Sequence, residues 1–346
     1  MIRIIVALLA FAFFPTSSQA ADIMGAGSSA ASPLYKKWAE AYKEKTSMTL
    51  DYQPVGSSAG LKQIKAKTVD FGASDVAQSA AELKKENLIQ FPAAISGVVP
   101  VINLPGFKAG DLKLSGEVLS RIFERKIIRW NDPDIVSLNQ GLILPSKEIE
   151  VIVRSDGSGT TYNFTNYLSK LSAEWQKTYG NNFTIQWHKE LKQVKGSSGI
   201  VAEIKKTPYS ISYVDYNYVV QDKLDFAKLK NKDGKFIMPS AESFAAALNA
   251  SDWKKSGNFE ETLTDKAGPK AWPIAMGTFI ILQKSAVNLE KTSATLKFFT
   301  WSFINGDHLV GAVDFVRLPD AIQARVFKEM TTVTDSTGKP LNWTVQ

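Results

Sequence analysis

Apolar positions along this chain fall into two alternating patterns. Short unbroken apolar runs read as buried strands, and stretches with apolar residues three or four apart read as helices packed on one face. Asp22-Ile23-Met24 reads as a short strand. Ser32-Pro33 opens a helix, Ser32 as its cap and Pro33 in its first turn, with Leu34, Trp38 and Tyr42 on one face. Met48 to Tyr52 predicts a strand, 57–67 a helix burying Leu61 and Ile64, 69–73 a buried strand and 80–86 a further helix. This β-α-β-α-β order predicts an α/β fold on a mainly parallel sheet covered by helices. Ligands of such sheets collect at the carboxyl ends of strands, where helices begin.

Residues 95–104, broken by Gly97 and Pro100, form a long extended segment, and 273–283 form a second. Between them the pattern predicts helices over 115–123, 158–171 and 197–206, strands over 149–154 and 209–214, and polar loops around 222–234. Helices over 295–304, 306–313 and 319–330 close the chain. There is no internal repeat or low-complexity tract. The two long extended segments are expected to cross between two lobes. Residues 21–96 and 273–346 would form a discontinuous lobe 1, with 97–272 inserted as lobe 2.

The first residues break the pattern. Met1-Ile2-Arg3 precedes an apolar run from Ile4 to Phe14, and Ser18-x-Ala20 puts small residues where a signal peptidase needs them. Residues 1–20 therefore read as a secretory signal peptide, cleaved near Ala20 and too short to span a bilayer permanently. No Cys follows to carry a lipid, and a single Arg implies export unfolded, without a preloaded cofactor. No later stretch approaches the ~20 apolar residues of a membrane span, so no membrane insertion is expected.

Composition narrows the chemistry. The 346 residues are 44% hydrophobic and 22% charged, which suits a globular protein of about two domains. The absence of Cys excludes disulfides, iron–sulfur clusters and thiol catalysis, and two His, His188 and His308, leave little room for a multi-His metal centre. The net charge of +7 favours small anions without demanding nucleic acid.

Four segments combine small residues, hydroxyls and the start of a helix after a strand. They are Gly25-Ala26-Gly27-Ser28-Ser29, Gly56-Ser57-Ser58-Ala59-Gly60, Gly72-Ala73-Ser74-Asp75 and the run from Arg154 to Thr160. Helix N-termini present unpaired amides and a partial positive charge, and glycine allows an anion to approach. Any one such serine could be only a cap. Arg154, at the end of an apolar strand, could clamp an oxyanion bidentately or pair with Asp156, or do both. Asp75 would repel an anion unless the ligand brings a proton. Phosphate keeps one at neutral pH and sulfate keeps none, so a buried acceptor would admit the first and reject the second. The alternative is that Asp75 caps the helix near Ser79.

These segments, with Tyr52-Gln53-Pro54-Val55-Gly56-Ser57-Ser58, Thr68-Val69-Asp70-Phe71-Gly72-Ala73-Ser74-Asp75, Phe91-Pro92, Lys126-Ile127-Ile128-Arg129-Trp130-Asn131-Asp132, Arg154-Ser155-Asp156-Gly157-Ser158-Gly159-Thr160 and Leu296-Lys297-Phe298-Phe299, closely resemble the periplasmic phosphate-binding proteins of phosphate ABC transporters. The resemblance spans essentially the whole chain after the signal. It implies a type II two-lobed binding fold closing over one dehydrated phosphate, a periplasmic location, no cofactor, and permease and ATPase subunits as partners. It also implies Ser57, Asp75, Arg154, Ser158, Gly159 and Thr160 as ligands, Asp75 as acceptor of the phosphate proton and Asp156 as the residue orienting Arg154. The family usually has Thr-Phe-Pro after Gly-Ala-Gly-Ala. Ser28-Ser29-Ala30-Ala31-Ser32-Pro33 stands here instead, so Ser29 and the Ala30 amide would replace the Thr hydroxyl and the next backbone donor, without an aromatic wall.

Other readings compete. Gly25-x-Gly27-x-x-Ala30 matches a dinucleotide pattern, with Asp51 near the expected offset, but Ser32-Pro33 starts the helix too late. Ser158 could be the nucleophile of a secreted phosphate-ester hydrolase, though its setting is not G-x-S-x-G and either His would have to come from afar. Another protonated oxyanion, such as arsenate, could be the ligand. The eight Trp could stack on sugars, but Trp38 and Trp301 lie on helix core stripes.

Overall fold

A computed structural model describes residues 22–256 and 259–343. The expected signal peptide lies outside the described residues. The chain begins with β1 (Ile23–Gly27), α1 (Ser32–Thr46), β2 (Leu50–Gln53), α2 (Ser57–Lys65), β3 (Phe71–Ser74), α3 (Ala80–Lys85) and β4 (Leu88–Asn103). Its middle holds β5 (Lys113–Leu114), α4 (Gly116–Phe123), α5 (Pro133–Leu138), β6 (Glu150–Arg154), α6 (Gly159–Leu171), α7 (Ala173–Thr178), β7 (Lys192–Val194) and α8 (Gly196–Lys206). There follow β8 (Ser210–Asp215), α9 (Tyr216–Gln221), β9 (Asp225–Phe226), β10 (Lys228–Lys230), β11 (Phe236–Ile237), α10 (Ala241–Asn249) and α11 (Trp253–Ser256). It ends with β12 (Ala275–Gln283), α12 (Leu289–Ile304), α13 (Asp307–Gly311) and α14 (Asp320–Met330).

The main sheet runs β2-β1-β3-β12-β4-β8-β6-β7, with β9 beside β4. Its flanks are parallel, β1 between β2 and β3 and β6 between β8 and β7, as βαβ units require. The centre is antiparallel, which the expectation of a mainly parallel sheet left out: β12 runs against β3 and β4, and β4 against β8. The reason is connectivity. The chain leaves the first half along β4 and returns into β12, so the two must run in opposite directions.

β4 is longer than the extended segment expected at 95–104. All but the last of its 16 residues are buried, and it changes partner midway. Residues up to Gly97 pair with β12, and those from Val98 pair with β8. The returning chain meets it at the same place, where the Val98 amide donates to Ile274 O at 2.8 Å and Trp272 Nε1 donates to Val98 O at 2.9 Å. Pro92 is accommodated in this central strand by a register shift at Thr278/Phe279 opposite it.

Each half has its own aromatic core. In the first, Tyr35 and Trp38 of α1 pack against Phe71 and Phe303. In the second, Phe164 stacks on Tyr213 at 4.3 Å with Phe123 beside both. Trp38, Trp130, Trp175, Trp253 and Trp272 are fully buried, so these indoles fill cores rather than bind sugars. One cap expectation is corrected: Ser32 is the first residue of α1, not its cap, and Ala31 holds the cap position without a side-chain bond. The Leu34 and Tyr35 amides, which a Ser32 cap would take, donate to Ala31 O at 3.1 and 3.2 Å instead, and Ser28 accepts the Ala31 amide at 3.2 Å.

Candidate functional site

The site is built where strands end and helices begin. β1 leads into residues 28–31 and α1, Gly56 precedes α2, β3 ends in Ser74-Asp75, and β6 ends in Arg154 before α6. These segments meet face to face. The Ser58 amide donates to Gly157 O at 3.0 Å, and Asn163 Nδ2 donates to Asp75 O at 2.8 Å. Glycine makes the approach possible: a Cβ on Gly159 would lie 2.6 Å from Ser57 Oγ and 2.7 Å from Asp75 Cβ. Gly56, at φ +96°, is also closed to side chains, because its Cβ would meet Asp156 Oδ2 at 2.7 Å.

Arg154 is buried at 3% exposure. Its Nε donates to Asp156 Oδ1 at 2.7 Å and its Nη2 to Oδ2, a bidentate pair. Burial alone would raise the Asp156 carboxyl, but the Arg154 hydrogen bonds and charge, with the Gly196 amide at 3.0 Å, hold it below the usual range. The guanidinium's other contacts are hydroxyls, Ser29 Oγ from Nη2 at 3.2 Å and Ser197 Oγ from Nη1 at 3.4 Å.

Asp75 is equally buried and does not cap a helix, since Ser79 accepts the Glu82 amide at the start of α3. Its Oδ2 accepts from Ser28 Oγ at 2.6 Å and from Ser57 Oγ at 3.5 Å. Its Oδ1 is buried and, among the described residues, has no hydrogen-bond partner. Desolvation raises this carboxyl to about 6, against the pull of the Ser28, Thr278 and Ser57 hydroxyls and the Arg154 charge.

Ser158 caps α6, its Oγ accepting the Thr161 amide at 3.1 Å and leaving its own hydrogen to donate. Gly159 and Thr160 form the first turn of α6, so their amides have no intrahelical acceptor. In the 28–31 segment, Tyr218 donates to Ser29 O at 2.8 Å and Tyr52 to Ser28 O at 2.7 Å. A trans peptide points its N–H opposite its C=O, so pinning the Ser29 carbonyl turns the Ala30 amide away from Tyr218. Two tyrosine hydroxyls, one from each half, thus hold the segment that lacks the family's Phe. Ser29, Ala30, Ser57, Asp75, Arg154, Asp156, Ser158, Gly159 and Thr160 are thereby brought into one region. Ser28 and Ser197 were not foreseen. Ser28 stands in a segment already singled out, and Gly196-Ser197-Ser198-Gly199 has the same small, hydroxyl-bearing helix start as residues 56–60.

The profile of the PBP superfamily domain matches residues 15–305. The phosphate-binding protein PstS of Pasteurella multocida is 45% identical over 98% of both chains. The PstS of Haemophilus influenzae is 44% identical, over 91% of this chain and 94% of that one. The chain belongs to the PBP superfamily, in its PstS phosphate-binding family. Its fold is shared with a solved periplasmic phosphate-binding protein, PfluDING, bound with phosphate, at TM-score 0.72 and 22% identity over 93% of this chain and 99% of that one. For a PstS-family chain the two-lobed α/β architecture is the expected one. In this member, the crossing strand β4 and the return at 272–275 join the halves. Residues of both halves surround Asp75 and Arg154.

Proposed function

We propose that this protein is an exported solute-binding protein that captures inorganic phosphate between its lobes and delivers it to the permease and ATPase subunits of an ABC importer. Capture is by hydrogen bonding alone, without catalysis. Residues 1–20 would be removed on export to the periplasm, with 21–96 and 273–346 as lobe 1 and 97–272 as lobe 2. The observation that carries the reading is Asp75 Oδ1, a buried acceptor that has no hydrogen-bond partner among the described residues, in a site whose other carboxylate, Asp156, is satisfied by Arg154. An unmet buried acceptor costs about 1–3 kcal/mol, and the proton of a phosphate would meet it. Sulfate, having no proton, would set two acceptors against each other.

The ligands in this reading are Ser29, the Ala30 amide, Ser57, Asp75, Arg154, Ser158, Gly159 and Thr160. Each hydrogen bond to a charged group contributes about 1.5–3 kcal/mol. Micromolar affinity needs only about 8 kcal/mol net, so six or more such bonds suffice after the cost of association. Hydrolysis by Ser158 is the weaker reading. Ser158 Oγ serves the Thr161 amide, while the half-exposed His188 faces Glu190 at 3.9 Å.

Isothermal titration with phosphate, arsenate and sulfate tests the reading. Phosphate should bind tightly and sulfate should not; equal binding of both would sink it. Arsenate, a protonated tetrahedral ion of the same charge, should bind as well. A phosphomonoester assay should show no turnover, and turnover lost in Ser158→Ala would replace transport with hydrolysis.

A further inference from the structure

Helix α8 starts inside the site. Its Gly196 amide holds Asp156, and its Ser197, fully buried, meets Ser29, 168 residues away in sequence. The Ser197 amide donates to Ser29 Oγ at 3.3 Å, Arg154 Nη2 donates to the same oxygen at 3.2 Å, and the two hydroxyl oxygens lie 3.0 Å apart. A hydroxyl has two acceptor lone pairs and one hydrogen. The two N–H groups fill both lone pairs of Ser29, so between the hydroxyls Ser29 must donate and Ser197 must accept. Arg154 Nη1, at 3.4 Å, fills the remaining lone pair of Ser197. Among the described residues no acceptor is bonded to the hydrogen of Ser197 itself.

We propose that Ser197 binds the anion in place of the Ser29 hydroxyl named among the ligands above, whose own hydrogen is given to Ser197: Ser197 donates its hydroxyl hydrogen to a phosphate oxygen at the end of a chain of donors running from Arg154 and through Ser29. The assignment rests on the phosphate reading above. Every bond in the chain points its hydrogen the same way, so each polarises the next and strengthens the last donor. An oxyanion is the ligand such a terminus fits, because it accepts and never donates at its unprotonated oxygens. Asp75 and Ser197 then complement each other: the first takes the anion's proton, and the second supplies one to an oxygen that has none.

The test is phosphate titration with stopped-flow dissociation on the wild-type protein, Ser197→Ala and Ser197→Thr, with the melting temperature of each phosphate-free protein. Ser197→Ala should bind phosphate at least about tenfold more weakly, chiefly through faster dissociation, and should lower the phosphate-free melting temperature only by what the two donors of Ser29 and Arg154 left without an acceptor cost. Ser197→Thr keeps the hydroxyl and should recover most of the affinity. An alanine variant as tight as wild type overturns the proposal. So does an equal loss in both variants, which would assign the position to packing. Wild-type protein that does not bind phosphate at all would instead overturn the transport reading on which this one rests.

Discussion

Arg154 and Asp75 bring opposite charges into one buried region without bonding each other, and each is satisfied by different neighbours. Arg154→Ala should weaken phosphate binding by a hundredfold or more, since the buried cationic charge and the donor it leaves free on Nη1 are lost. It also leaves Asp156 buried beside no cation. The double variant Arg154→Ala/Asp156→Asn therefore separates the two effects: it should regain thermal stability and stay weak in calorimetric titration. Asp75→Asn should lower phosphate affinity and narrow the margin over sulfate; unchanged selectivity would remove Asp75 from the role of proton acceptor. The same carboxyl shapes stability against pH. It titrates near 4 in an unfolded chain and is raised to about 6 by burial in the fold. Between these values the folded state holds more protons than the unfolded one, so stability falls as pH rises from about 4 to about 6. Urea unfolding of the phosphate-free protein across that range should show the fall, and Asp75→Asn should flatten it. Asp215, which burial and then the Asp75 charge drive upward, adds a decline of the same sign; the substitution lessens it by removing the Asp75 charge but does not abolish it, because burial is the larger cause.

The elements present these groups because four helices begin at the site, each after a turn of small residues. Alanine at position 159 would press its methyl into Ser57 and Asp75 across the cleft. Gly159→Ala should thus cost about tenfold in phosphate affinity, from an overpacking penalty of about 1–3 kcal/mol paid only on closure. Its helix would be unharmed, because alanine is the better helix former. Small-angle scattering should find the variant more open than wild type at saturating phosphate; equal compaction would show that the cleft tolerates the methyl. Local signals made these helix starts legible. Ser158 caps α6, at the hydroxyl-rich run the sequence singled out, whereas Ser32 does not cap α1, and α2 and α8 begin without a side-chain cap. The antiparallel centre of the sheet was not legible, since strand direction depends on where the chain returns rather than on the residues of the strand.

At the scale of the molecule, phosphate joins groups from both halves and should stabilise the fold as one unit. At a hundred times its dissociation constant it should add about 2.7 kcal/mol, seen as a rise of several degrees in melting temperature. Sulfate at the same concentration should leave the melting curve unmoved. A sulfate shift equal to that of phosphate would mean a nonspecific anion effect. The joint between halves is narrow, β4 crossing near Gly97 and the chain returning at 272–275, so one bound ion can couple two large bodies.

Residue chemistry that acts over a few positions was set by the sequence alone. Glycine before a serine, a serine before a helix, and an arginine at the end of an apolar strand fix the donors, because caps and turns are satisfied by near neighbours. What those donors meet was decided only by the tertiary structure. Ser28 reaches Asp75 across 47 positions and Ser29 reaches Ser197 across 168. No periodicity records such pairings, since they exist only after two cores have formed and their strand ends have been brought together.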